Sequence, residues 1–263
     1  RVDHETRYTY DAPVSYGLQQ VRMRPKDSRG QKVLDWTITV EGGATELCYD
    51  DHNGNRVDLI GIEPGRTETS IRCVGLVENT EGDGVLGKHQ GFLPLWHFKR
   101  SSPLTQAGEG VRKLVAGLGD CDIAQVSTGH ALSAAILDTV GYEGGNTHSG
   151  TTAEEAITGG TGVCQDHAHI FCSAARLMGL PARYVSGYLM MNDRVEQDAS
   201  HAWAEAFFEG LGWVGFDISN GYSPDERYIR VATGIDFREA APINGMRMGG
   251  SDEGVLVTLK VEQ

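Results

Sequence analysis

Apolar and polar residues alternate along the first third of the chain with a period of two. The pattern predicts strands over residues 6–10, 33–40, 56–60 and 67–77, each rich in β-branched or aromatic side chains. Between two of them lies Asp51-His52-Asn53-Gly54-Asn55, where Asn-Gly would supply the positive φ angles of a tight hairpin. An antiparallel, sandwich-like β domain is therefore expected over residues 1–80. Residues 81–104 follow as an irregular connection. It carries Phe92, Leu93, Pro94, Leu95, Trp96 and Phe98, too many large apolar groups to leave in water, so it is expected to pack across both halves of the chain.

Beyond residue 105 the period lengthens. Residues 105–117 and 128–140 have helical spacing, and Thr152-Ala-Glu-Glu155 offers an N-cap with acidic residues in the first turn. Strand patterning returns at 183–189, 202–208, 212–218 and 228–233. Helices followed by strands make residues 105–240 an α+β domain. Residues 241–263 form a tail whose last segment alternates again at Val255, Val257, Leu259 and Val261, and would suit either sheet.

The stretch GVCQDHAHIFCSAARLMGLPARYVSGY, residues 162–188, holds the first candidate chemistry. Residues 164–178 are apolar except for a stripe at Asp166, His169, Ser173 and Arg176, which describes a helix buried on most sides. Gly179 and Pro181 end it, so Cys164 falls in its first turn. The positive end of a helix favours a thiolate, the reactive form of cysteine, and its free N–H groups, that of Cys164 included, would stabilise an oxyanion. Gly159, Gly160 and Gly162 leave room for a substrate backbone. Cys172, two turns on, reads as a small apolar packing residue. A zinc site built from Cys164, His167, His169 and Cys172 is the competing reading. On a helix, however, His167 and His169 point about 300° and about 140° from Cys164, and their rings do not converge with the thiol. Asp166 is expected to pair with Arg183 or another basic group, and His169 to be structural.

A thiol nucleophile needs a base and a group to orient that base. Ser200-His-Ala-Trp-Ala-Glu-Ala-Phe-Phe208 reads as a strand with His201, Trp203, Glu205 and Phe207 on one face, and GWVGFDI, residues 212–218, as its hairpin partner ending in Asp217. Parity makes the pairing testable: a two-residue loop would place Asp217 and His201 on opposite faces. A three-residue loop or a bulge would bring Asp217 across from Trp203, diagonal to His201. An odd loop is therefore expected. Trp203 is placed to shield the pair or to fill the core.

Composition narrows the classes. The chain of 263 residues has 23 basic and 36 acidic side chains, a net charge of −13, and no basic cluster suited to nucleic acid. No apolar run approaches the length of a membrane span, and no secretory leader is visible, so a soluble, cytoplasmic protein is expected. Five widely spaced cysteines do not form a disulfide framework. No metal, calcium loop or other cofactor is expected, and a thiol mechanism of this kind would have a peptide or protein substrate as its partner; oligomeric state is not legible.

GVCQDHAHIFCSAARLMGLPARYVSGY, SHAWAEAFF and GWVGFDISNG, taken in order, resemble the core of the transglutaminase-like superfamily, in its bacterial cysteine-protease branch; HETRYTYDAPVSYGLQQVRMRP resembles the β-rich N-terminal domain of that branch. Two positions depart from the pattern. His167 stands where the family carries an aromatic, and Ile218-Ser219-Asn220 where it reads Pro-Thr-Asn. The resemblance implies a papain-related fold with the cysteine helix on an antiparallel sheet, Cys164 as nucleophile, His201 as general base and then acid, and Asp217 as the orienter of His201. Thiol acyl transfer on peptide amides follows, with hydrolysis as the expected outcome. The alternatives are transfer to an amine, as in transglutaminases, or a silent peptide-binding module.

Overall fold

The computed structural model describes residues 1–80, 82–250 and 252–263. The first part of the chain forms β1 (Val2–Tyr10), β2 (Tyr16–Arg24), β3 (Gln31–Glu41), β4 (Gly43–Asp50), β5 (Arg56–Ile62) and β6 (Glu68–Asn79). After β7 (Val85–Gly87) come α1 (Glu109–Gly117), α2 (Val126–Thr139), β8 (Gly141–Tyr142), α3 (Ala153–Gly159), β9 (Thr161–Gly162) and α4 (Cys164–Leu177). Next are β10 (Ala182–Leu189), β11 (Glu196–Gln197), β12 (His201–Phe208), β13 (Gly212–Phe216) and β14 (Tyr228–Gly234), then α5 (Phe237–Ala240), β15 (Ile243–Met248) and β16 (Glu253–Val261).

Two antiparallel sheets make the N-terminal sandwich, in the orders β11-β16-β1-β6-β3 and β15-β2-β5-β4. The last strand thus runs beside the first, with Val2 opposite Val261 and Tyr10 opposite Glu253. Alternation missed β2 and β4. The buried face of β2 includes polar Gln19 and Arg22, and β4 has no fully buried residue, so neither shows a clean apolar stripe. The Asn53-Gly54 turn also differs from expectation. Only Gly54 takes a positive φ, and residues 51–55 form a five-residue connection gathered on Asp51, whose Oδ1 accepts the N–H groups of Asn53 and Asn55.

The second part is an α+β layer, the sheet β14-β10-β12-β13-β7 with α4 against it. Ile170, Phe171, Cys172, Ala174 and Ala175 of α4 are fully buried, and Phe171 stacks on Phe216 of β13 with ring centres 5.0 Å apart. The helix ends where Gly179 adopts φ 93° and Leu180 donates back to the Ala175 carbonyl. Its polar stripe is buried as well. Arg176 donates to the carbonyls of Phe98, Ala182 and Ile235 and to the Thr105 hydroxyl, fastening the helix end to four neighbouring segments. The connection packs less than expected: Phe98 is buried against Trp213, but Phe92 is 96% and Trp96 63% exposed. Residues 95–99 form a 3-10 turn, whose three-residue period aligns Leu95 with Phe98 and throws Trp96 outward.

β14 is an edge strand, and its outer main-chain groups face the sandwich rather than another strand. Three side-chain amides meet them. Asn79 donates to the carbonyls of Glu226 and Tyr228 at 2.8 Å each, and Gln31 exchanges two bonds with Arg230, at 2.7 and 2.9 Å. Asn55 exchanges two with Thr233, at 2.7 and 2.8 Å. A primary amide offers a donor and an acceptor in the spacing of a peptide, so these three residues act as an interrupted neighbouring strand.

Candidate active site

Cys164 occupies the first position of α4, after Val163 in extended conformation. The helix start is fixed by Asp166, whose Oδ2 accepts the Val163 N–H at 2.8 Å and the Thr147 hydroxyl at 2.7 Å. This corrects the expected pairing with Arg183, which instead binds Glu205. A carboxylate three residues past the N-cap finds a backbone donor at hand, and needs no cation. Gly162 also has a local reason: a Cβ there would lie 2.8 Å from Cβ of Asp166. Gly160, at φ 73°, is the C-cap of α3, whose other end carries the anticipated Thr152–Glu155 capping box. These two glycines serve the chain's own turns.

The hairpin of β12 and β13 has the odd loop that parity demanded. Phe208 pairs with Gly212 and Ala204 with Phe216, leaving residues 209–211 as a three-residue loop. Continuing that register sets Asp217 across from Trp203, and its Oδ2 accepts the His201 Nε2–H at 2.6 Å. The Cys164 thiol lies near enough to His201 to raise its proton affinity, and Nδ1 is the ring nitrogen that Asp217 leaves open. All three sequence-derived residues therefore meet at the same end of the sheet.

Burial alone would lower the proton affinity of His201, but its bond to Asp217, the neighbouring Cys164 thiol and the charges of both hold its pKa up at about 10. Asp217 moves the other way. Burial pushes its pKa up, yet the bond and charge of His201, with donors from Tyr228 and Asn220, leave it below the usual carboxylate range. Oδ2 accepts the Tyr228 hydroxyl at 2.6 Å and Asn220 Nδ2 at 2.7 Å as well as His201. Sequence reasoning missed Tyr228. Trp203 stacks near-parallel on His201, with centroids 6.2 Å apart. Beside the site opens a cleft of about 510 Å³, walled by Tyr142, Met190, His201, Asn220, Tyr222 and Arg227. The Tyr142 hydroxyl is pushed up to about 12 by burial and by the charges of Cys164 and Asp217.

Neither helix histidine turns to the thiol. His167 donates Nε2–H to the Val140 carbonyl and accepts from Ser219 Oγ through Nδ1, so the two departures from the family pattern touch each other. His169 accepts the Phe237 N–H, and burial drops its pKa to about 3. Burial raises the Cys172 thiol to about 11, as suits a packing residue. Among the described residues no three His, Cys, Asp or Glu side chains gather as a metal site requires, and no helix is long and apolar enough to cross a membrane.

Residues 114–218 match the transglutaminase-like superfamily, and residues 1–78 match the bacterial transglutaminase-like N-terminal region. The core belongs to the transglutaminase-like superfamily. A candidate cysteine protease of Cytophaga hutchinsonii has a similar solved structure, with a TM-score of 0.76 over 97% of this chain and 88% of its own, at 22% identity. That likeness shows a shared fold across both parts of the chain. An uncharacterised protein of Mycobacterium leprae is 26% identical over 95% of this chain and 93% of its own. Another, of Mycobacterium tuberculosis, is 27% identical over 97% and 90%.

Proposed function

We propose that the protein performs thiol acyl transfer on peptide amides, with Cys164 as nucleophile, His201 as general base and acid, and Asp217 as the group that orients His201. One observation carries this reading: His201 stands between a buried carboxylate at 2.6 Å and the thiol at the head of α4, beside an open cleft. In the first step His201 takes the Cys164 thiol proton, Sγ bonds to the amide carbonyl carbon, and the carbonyl π pair passes to the oxygen near the helix N–H groups. His201 then protonates the departing amine as the C–N bond breaks, leaving a thioester. Water, giving a proton to the neutral imidazole, then bonds to the thioester carbon; the C–S bond breaks, the acid leaves, and His201 returns the proton to Cys164. Water at about 55 M reaches an open cleft readily, which favours hydrolysis over transfer to an amine.

A peptide library incubated with wild type or Cys164→Ala, with and without a primary-amine acceptor, tests the reading by mass spectrometry. Cleaved peptides from the wild type alone are expected. Amine adducts instead of cleavage would make it a transferase, and no product in either arm would leave a peptide-binding module.

A further inference from the structure

Asp217 Oδ2 has three donors, and they differ in origin. Asn220 lies in the turn after β13 and reaches its own neighbour; Tyr228 comes from a different strand. The Tyr228 ring also touches the rest of the site. It stands edge-on to Trp203 at 5.4 Å and 6.0 Å from His201. For packing alone a phenylalanine would suffice. A hydroxyl 2.6 Å from a buried carboxylate adds a short, charge-assisted bond that only the ionised acid rewards fully. Meanwhile Tyr228 begins the edge strand β14, where its backbone is paired on one side with Leu189 and gripped on the other by Asn79 of β6. Asn79 spans the carbonyls on both sides of Arg227 and so fixes the turn from which the tyrosine projects.

We propose that Tyr228 is a positioning residue for the Asp217–His201 pair, and that the N-terminal sandwich, through Asn79, sets where its hydroxyl stands. This rests on the thiol reading of the site. Three donors keep the carboxylate ionised where burial favours its protonation, and they stop its oxygen from swinging away from the imidazole. The other titratable groups that face the pair are Cys164 beyond His201, Tyr142 and His167 beside Asp217, and Tyr222 beside Tyr228. With one donor gone, Asp217 takes up a proton at higher pH, His201 loses its anionic partner there, and the thiolate emerges later.

The test is site-resolved alkylation of Cys164 by iodoacetamide in the full chain, followed from pH 4 to 9 by mass spectrometry. Tyr228→Phe is expected to move the acid-side midpoint up by about one pH unit, the tenfold change expected on losing a hydrogen bond to a charged group. Asn79→Ala moves it the same way by less. Asn55→Ala, which loosens the same strand at Thr233, lowers the thermal midpoint and leaves the pH midpoint in place. A midpoint that Tyr228→Phe leaves unmoved, in a protein whose alkylation collapses in His201→Ala, overturns the inference alone. Alkylation indifferent to His201→Ala overturns the reading of the site, and the inference with it. Because Phe keeps the ring contacts, the Tyr228→Phe fold is checked by circular dichroism, and Asn79→Ala probes the same link without altering the ring.

Discussion

The core sheet and the sandwich edge strands β3 and β4 are both paired antiparallel, yet they treat polar groups in opposite ways. All residues of β10 and β13 and all but Phe207 of β12 are buried, whereas β4 has none fully buried and β3 only Gln31. On β3 and β4 the charged side chains find water. In the core sheet it must find protein. Glu205, fully buried, binds Arg183 at 2.5 Å and Arg230 at 2.7 Å, and Arg183 lies over the Trp213 ring. His201 and Asp217 belong to the same economy of internal partners, so the candidate site is held by the rule that governs the structural groups.

This contrast is breakable. Removing the charge in Glu205→Gln leaves two guanidinium groups short of a counter-charge and is expected to cost about 3–5 kcal/mol in urea unfolding. An unchanged midpoint would refute the contrast. Gly187→Ala comes next: its Cβ would fall 2.1 Å from the Ile229 carbonyl oxygen and 2.7 Å from the Trp203 ring. A loss of about 1–3 kcal/mol is expected, with weaker near-ultraviolet dichroism from Trp203.

Change of pH sharpens the comparison at the seam. His4 of β1, buried and hydrogen-bonded to the Tyr188 hydroxyl, is pushed down to about 4 from 6.5 by burial. The unfolded chain therefore binds that proton first. Stability from neutral His4 is present above pH 6.5 and drains away as pH falls through 4, with His169 adding to the same limb. His201, held at about 10, works in the opposite sense: its contribution is full below 6.5 and lost as pH rises through 10. Urea midpoints across pH should show both limbs, the acid one flattened in His4→Gln and the alkaline one in His201→Gln. The smallest effect belongs to the sandwich surface. Glu63→Gln breaks an exposed pair with Arg66 and is expected to shift stability by less than about 0.5 kcal/mol.

Cys164, His201 and Asp217 were legible because each sits in a local pattern: a helix start, an alternating strand, and a hairpin whose parity can be worked out. The strands and helices around them were legible for the same reason. Tyr228 and the amides of Gln31, Asn55 and Asn79 were not, since their partners lie on other strands and nothing in their own neighbourhoods announces a contact. Asp166 is an intermediate case. Its place three residues after the N-cap is a capping signal that could have been preferred to an ion pair. Phe92 and Trp96 misled because hydrophobicity indicates what burial would gain, not whether a short turn can point a ring inward.

The three amides on β14 have a consequence for association. A bare edge strand is a template for another chain, and the outward groups of Tyr228, Arg230 and Thr233 would form such a template. Asn79, Gln31 and Asn55 occupy those groups with side chains that end after one amide, so the sheet is satisfied but cannot be extended. Separated from its sandwich, the core would present that edge open to pairing with another chain.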